Sequence, residues 1–179
     1  MNDSVMLAIR KAICACFGIE SDSAEALSLV REAYTEPENT PRPARKTDVI
    51  YWSLSPDYGQ PPPAYNVAGE LNGSHTPLVT QTLFYRLLVV CYGPSCESYS
   101  QRIRALFFVD GKGFPREILR KAGVFPVPDP PPVEKLYEPE GSLWRSRADL
   151  SITLQVVDTI TSPNRRGAIE TPPAVIINR

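Results

Sequence analysis

Alternating apolar and polar residues near the C-terminus form the clearest pattern in this chain. Every second residue from position 150 is apolar: Leu150, Ile152, Leu154 and Val156. Successive side chains of a strand point to opposite faces of a sheet, so the pattern predicts a strand over about 146–158. One face of this strand would be buried. The other face would carry three polar, uncharged side chains: Ser151, Thr153 and Gln155.

Four further segments have the composition of strands. Residues 47–55 (TDVIYWSLS) are rich in β-branched and aromatic side chains. Residues 80–93 are apolar on both faces in their second half, which favours a central position in a sheet. Residues 28–34 alternate as a strand does, although the alanines and leucine of 24–27 favour a helix, and we predict a strand there. PPAVIIN (172–178) predicts the last strand.

Helical periodicity predicts three helices. Residues 5–17 carry a broad apolar stripe, and residues 96–109 place apolar side chains at helical spacing. Residues 115–122 open with a proline in the first turn and are followed by Gly123. Together the elements predict an α+β fold in which a mostly antiparallel β-sheet carries two or three helices on one face.

The 19 prolines gather between the predicted elements. Because proline cannot donate a backbone hydrogen bond, these clusters predict extended arms rather than helices or central strands. We expect a single domain over residues 1–179 with arms at about 35–46, 56–77 and 124–143. The 56–77 arm, which contains His75, is expected to be irregular.

Composition and charge argue against several classes of protein. The chain has 179 residues, of which 42% are hydrophobic, and its formal net charge is −1. A folded body is therefore expected, and the basic excess of a general nucleic-acid binder is missing. No stretch approaches the roughly 18 apolar residues of a membrane helix, and no signal peptide is visible. We expect a protein made inside a cell without a membrane segment.

Candidate chemistry is sparse. His75, the single histidine, lies in a Gly/Ser/Pro-rich segment, where a solvated surface residue is more common than a general base. The four cysteines contain no C-x-x-C motif, so we expect reduced, buried thiols rather than a zinc site. No phosphate-binding glycine motif occurs, and the carboxylates lack metal-ligand spacing. We expect no catalytic residues, no cofactor and no metal.

The polar face of the 146–158 strand and the nearby arginines form a candidate subunit interface. Arginine is favoured at interfaces because its planar fork pairs with carboxylates, although charges on helix faces and strand ends that the acidic residues balance are the more common explanation of such arginines. The polar strand face lacks the charge and the rings of a nucleic-acid surface, and it suits another copy, a neutral lumen or plain solvent. The candidate residues are Arg145, Arg147, Ser151, Thr153, Gln155, Arg165 and Arg166.

Three stretches, in this order, resemble a known family. They are DVIYWSLSP (48–56), VVCYGPSCESYSQRIRALF (89–107) and EGSLWRSRADLSITLQVVDT (140–159). They are similar to the neck terminator, or tail terminator, proteins of contractile- and long-tailed bacteriophages, over about residues 5–178. In that family a Y-G-P-like turn leads into the main helix, and a tryptophan followed by R-x-D-L opens the long strand. The matching positions are Tyr92, Gly93, Pro94, Trp144, Arg147, Asp149 and Leu150.

The resemblance implies a structural virion protein at the phage neck, made in the host cytoplasm. It implies a hexameric ring that caps the tail tube, ends tube elongation and provides the docking surface for the head. The implied partners are further copies of the chain, the tail tube protein, the head-tail connector or adaptor protein, and a sheath or collar protein. DNA would pass through the lumen without sequence-specific binding. No catalytic residues carry over.

Two alternatives stay open at this point. One is another head-tail connector, adaptor or baseplate protein of similar size. The other is a small intracellular enzyme with a site built from dispersed residues around His75 and the DGKG segment (110–113).

Overall fold

A computed structural model describes the backbone of residues 3–33, 44–59, 64–71 and 74–161. It describes their side chains as well, apart from those of 64–71, 74–79 and 159–161. The predicted last strand (172–178) lies outside the described residues.

The described chain contains four helices and seven strands. The helices are α1 (Asp3–Ala15), α2 (Ala24–Leu29), α3 (Cys96–Phe107) and α4 (Pro115–Lys121). The strands are β1 (Val30–Glu32), β2 (Val49–Pro56), β3 (Ala64–Leu71), β4 (Ser74–Tyr92), β5 (Val124–Pro126), β6 (Glu134–Glu140) and β7 (Leu143–Thr161).

The seven strands form one mixed sheet with the long strands β4 and β7 at its centre. The main order is β1-β2-β4-β7-β5, with β3 beside β4 and β6 beside β7. Only β1 and β2 pair in parallel among the described strands. The β4–β7 ladder runs from Leu78 opposite Thr161 to Tyr92 opposite Arg147. The predicted α+β fold with a mostly antiparallel sheet is confirmed.

The helices bury one face of this sheet. Even-numbered residues of β7 point into that side, where Leu150, Ile152 and Leu154 have no exposed surface. The same core cluster contains five large side chains from the helices: Ile9, Ile13, Ile103, Phe107 and Leu119. The predicted alternation along β7 is therefore confirmed.

All four cysteines are free and buried. Burial is the main cause that raises the pKa of Cys16 and of Cys91 to about 12. The thiols therefore stay protonated at neutral pH and act as small apolar core residues, as predicted.

The Tyr92-Gly93-Pro94 turn connects β4 to α3. Gly93 has φ of +107°, and a Cβ there would lie 2.8 Å from the Thr47 carbonyl oxygen, so the turn requires glycine. The backbone N–H of Ser95 donates to Asp48 Oδ1 at 2.8 Å. This motif thus fixes where α3 begins.

The region before β2 differs from the predicted strand over 28–34. Helix α2 occupies Ala24–Leu29, and only Val30–Glu32 forms strand β1. The Ser23 hydroxyl accepts a hydrogen bond from the Ala26 backbone N–H at 3.1 Å, which caps the helix. The structure thereby adds a fourth, short helix to the two or three that were predicted.

Two of the expected arms contain paired strands instead of unpaired chain. The 56–77 segment includes β3, which forms a hairpin with β4, and His75 lies on β4 rather than in a loop. The Asn72-Gly73 sequence between paired Leu71 and Ser74 is a strong hairpin signal, which the prolines at 61–63 outweighed in our prediction.

The 124–143 segment contains β5 and β6, and both pair with β7. β7 is much longer than β5 or β6, so neither strand alone can pair with the whole edge of β7 that faces away from β4. That edge offers backbone groups along two separate stretches. Pairing with β5 and β6 satisfies those groups.

The alternation along β7 generates a stability prediction. Ile152→Ala should lower the free energy of unfolding by about 3 kcal/mol, because Ile152 is fully buried and leaves a cavity. Thr153→Ala, one residue further on the opposite face, should change it by less than about 1 kcal/mol. Urea denaturation of both variants measures the two values. Similar losses at the two positions would contradict the assignment of faces.

Candidate functional site

The second face of the sheet carries the predicted polar row. Ser151 is exposed, and Thr153 and Gln155 are half-buried. The described helices pack on the opposite face, so within the described part of the chain no helix lies over this one. We call this surface the open face.

The open face also carries apolar side chains, which the sequence analysis did not assign to it. Leu88 of β4 lies opposite Ser151, and Phe84 lies opposite Gln155. Phe125 of β5 lies on the other side of Gln155 and is 38% exposed. A mixture of apolar and uncharged polar groups is typical of the centre of a protein interface.

A charged cluster occupies the open face where β7 pairs with β6. The Arg147 guanidinium donates to both carboxylate oxygens of Asp149, each at 2.7 Å. The Tyr92 hydroxyl donates to Glu138 Oε2 at 2.8 Å, and Arg147 Nη1 lies 3.9 Å from the same oxygen. The bond to Asp149 is the main cause that raises the pKa of Arg147. Arg147 is thus a fully ionised, well-paired residue.

Arg145 belongs to the same cluster but is held differently. Its residue is only 5% exposed, and its guanidinium carbon lies 4.6 Å from the centre of the Tyr92 ring. Its Nε and Nη2 are buried and have no hydrogen-bond partner. The cation–π contact offsets part of the desolvation cost, but two donors stay unsatisfied. A partner from outside the chain would meet these donors only if the side chain turned outwards.

Five of the predicted interface residues therefore share one face of one strand: Arg145, Arg147, Ser151, Thr153 and Gln155. Arg165 and Arg166 lie outside the described residues. Tyr92 and Glu138 complete the charged cluster and were missed. The spacing of Arg147 and Asp149, two apart on one strand, could have indicated a same-face ion pair.

The hairpin formed by β6 and β7 exposes large apolar side chains. The exposed fractions are 42% for Leu136, 59% for Tyr137, 53% for Leu143 and 60% for Trp144. The Trp144 carbonyl oxygen accepts a hydrogen bond from Arg45, while its indole is in solvent. Leu136 and Leu143 point to the open face, and Tyr137 and Trp144 point to the helix side. Exposed apolar groups on both faces of the hairpin mark it as an interaction site.

The DGKG segment (110–113) carries structural contacts. Arg116 pairs with Asp110 at 3.0 Å, and Glu117 accepts from the Gly113 backbone N–H at 2.7 Å.

In the described ranges, no three His, Cys, Asp or Glu residues come together as metal ligands. The helices described for this chain include none that could span a membrane.

The open face, the charged cluster and the β6–β7 hairpin are surfaces that the described residues leave uncovered. The family model described as phage neck terminator protein matches residues 3–176, and the chain belongs to this family. The resemblance seen in the sequence is thereby confirmed. Membership indicates a structural role in tail completion, a place at the virion neck, and association with other tail and head components. No curated protein sequence matches the chain.

Replacing each arginine of the cluster with an uncharged residue should change the free energy of unfolding in opposite directions. Arg145→Met removes a buried cation with unsatisfied donors and should raise the free energy of unfolding of the isolated chain by about 1 kcal/mol. Arg147→Met leaves the Asp149 carboxylate without its cation and should lower it by about 2 kcal/mol. Chemical denaturation tests both. A loss of stability in both variants would show that Arg145 is already satisfied.

Tyr92 should make stability fall at alkaline pH. Burial, followed by the hydrogen bond to Glu138, raises the pKa of Tyr92 from 10.0 to about 12. The folded state holds this proton more tightly, so the stabilisation is complete below the unfolded pKa and is lost as pH rises through the folded one. Tyr92→Phe should therefore lose less stability than the wild type between pH 10 and pH 12.

The matched control is Tyr58→Phe, because Tyr58 is 90% exposed. Its stability should follow the wild-type curve over the same pH range. Urea midpoints at successive pH values provide the measurement, and parallel curves for all three proteins would refute the role of Tyr92.

Proposed function

We propose that this chain forms a head-to-tail ring of six copies that caps the tail tube at the phage neck. The ring ends tube elongation and presents the docking surface for the head-tail connector or adaptor, and for sheath or collar protein where these are present. Family membership supports this proposal, and the open face is the observation that carries it.

The open face supports a contact between neighbouring copies. A head-to-tail ring needs two different, complementary patches on each subunit. The open face presents apolar side chains beside uncharged polar ones, and the helix side of the sheet presents a different surface. The proposed subunit interface comprises Arg145, Arg147, Ser151, Thr153 and Gln155, and extends to Arg165 and Arg166.

Arg145 supports the same arrangement. Its Nε and Nη2 are two adjacent donors of one guanidinium fork, and a carboxylate accepts two parallel hydrogen bonds from such a fork. Both atoms are inaccessible in the isolated chain, so a carboxylate of the neighbouring copy would satisfy both donors only after the Arg145 side chain turns outwards. The desolvation cost that the isolated chain carries would then be offset in the ring.

The charge balance supports passage of DNA through the lumen without tight binding. Binding to DNA phosphates by counterion release requires unpaired lysine and arginine. Two arginines of the described residues are neutralised within the chain, since Arg86 pairs with Asp57 at 3.0 Å and Arg147 pairs with Asp149 at 2.7 Å. The net charge of −1 adds no general attraction.

Tube assembly tests the proposed function as a whole. Tail tube protein is polymerised with and without the chain, and the tubes are imaged by negative-stain electron microscopy. We expect shorter tubes, each with one ring of this chain at a single end. Tubes of unchanged length with bare ends would contradict the proposal.

Substitution on the open face tests the proposed interface. Ser151→Arg should reduce the ring population at least tenfold, because it places a desolvated charge in the contact, while the thermal melt followed by circular dichroism stays nearly the same. Ser98→Arg is the matched control, since Ser98 is an exposed serine on α3. Electron microscopy counts the rings. Equal ring populations in the two variants would exclude the open face from the interface.

A further inference from the structure

An aromatic knob lies at one end of strand β7. We give this name to Tyr137 and Trp144, which are 59% and 60% exposed and lie on the same face of the β6–β7 hairpin. The β4–β7 ladder ends at Arg147, so residues 143–146 pair with β6 beyond the last residue of β4. The knob therefore projects past the main sheet.

A groove lined mainly by apolar side chains, which we call the apolar groove, lies at the other end of the same strand. Its walls come from the start of α1, the end of α4 and the facing strands β4 and β7. The main lining residues are Val5, Leu83, Tyr85, Ala122, Val156 and Asp158. The groove opens on the helix side of the sheet, because Val156 points to the core face.

The knob cannot enter the groove of its own chain. Trp144 and Val156 lie on one continuous strand, and a strand rises about 3.3 Å per residue, which separates them by roughly 40 Å. An exposed aromatic knob and a separate apolar groove on one molecule are the two unlike patches of a heterologous contact.

The chemistry of the two surfaces also matches. The indole N–H is a donor only, and a carboxylate, that of Asp158, lines the groove as an acceptor. One of its oxygens accepts from Gln81 Nε2 at 3.1 Å, which leaves further acceptor sites on the group. Tryptophan and tyrosine in closed pockets are the side chains that dominate interface binding energies.

We propose that the aromatic knob of one copy inserts into the apolar groove of the next copy. The inference rests on the proposed ring and names its head-to-tail contact. Trp144, and Ser146 opposite Tyr137, share strand parity with Ala148 and Leu150, so the knob points to the helix side of the sheet, beyond the helix layer, and forms a patch separate from the open face. The groove belongs to the receiving patch on the neighbour.

Mixing two variants tests this contact directly. Trp144→Ala removes the knob and keeps the groove, whereas Ala122→Trp fills the groove and keeps the knob. Ala122 has φ of −95° and ψ of 8°, which a larger side chain can adopt, and it is half-buried at the end of α4. Each variant alone should form at least tenfold fewer rings than the wild type. An equimolar mixture should form a one-to-one dimer, because one knob and one groove remain.

Native mass spectrometry and sedimentation count the species, and circular dichroism confirms that each variant is folded. Should Ala122→Trp unfold, Asp158→Lys replaces it at the same groove. If free wild-type protein is monomeric, ring occupancy at tail tube ends is counted in its place, and the mixture should yield partial, unclosed ends.

If both single variants form rings as abundantly as the wild type does, the knob-and-groove contact is overturned and the proposed function stays intact. Two assembly-defective variants that form no dimer on mixing would also overturn it. A wild-type chain that forms no ring, either free or at tube ends, would instead overturn the proposed function. The two failures are therefore distinguishable.

Discussion

Strands β4 and β7 pair along an antiparallel ladder from Leu78 opposite Thr161 to Tyr92 opposite Arg147. This ladder constrains the rest of the described fold, since β2, β3, β5 and β6 each pair with one of its two strands. Because side chains alternate along it, one register assigns half of each strand to the helix-covered core. The same register commits the other half to the open face.

The open face and the hairpin make the isolated chain less stable than it could be. Arg145 is buried with two unsatisfied donors, and Trp144 exposes more than half of its surface to water. Both features raise the free energy of the monomer. Another chain relieves the second by covering Trp144, and it relieves the first only if the Arg145 side chain turns outwards to meet it. A protein that acts only in an assembly can tolerate such features, because contacts with the other chains compensate for the lower stability of the monomer.

The sequence pattern predicted an element correctly where a single physical effect determines that element. The alternation of β7 predicted which side chains are buried, and the Tyr92-Gly93-Pro94 turn predicted the start of α3. The β3–β4 hairpin was missed because the prolines at 61–63 were weighted above the Asn72-Gly73 turn signal. Strand β6 was missed because it contains Pro139, which an edge strand tolerates.

The candidate site was only half predictable for a different reason. Residues of β7 share a face by parity, so their grouping follows from the sequence alone. Tyr92 and Glu138 come from other strands, and only the register of the sheet brings them beside Arg147. The apolar groove likewise requires α1, α4 and the sheet to be placed together. Contacts between distant segments depend on tertiary packing, which periodicity does not encode.

We propose that this protein leaves surfaces uncovered so that other chains can cover them. Hydroxyl-radical footprinting of the isolated chain and of assembled phage tails measures this directly at the side chains of Phe125 and Trp144. Both are exposed in the isolated chain, so both should be oxidised readily there. We expect strong protection of both side chains in the assembled neck. Equal oxidation rates in the two states would contradict it.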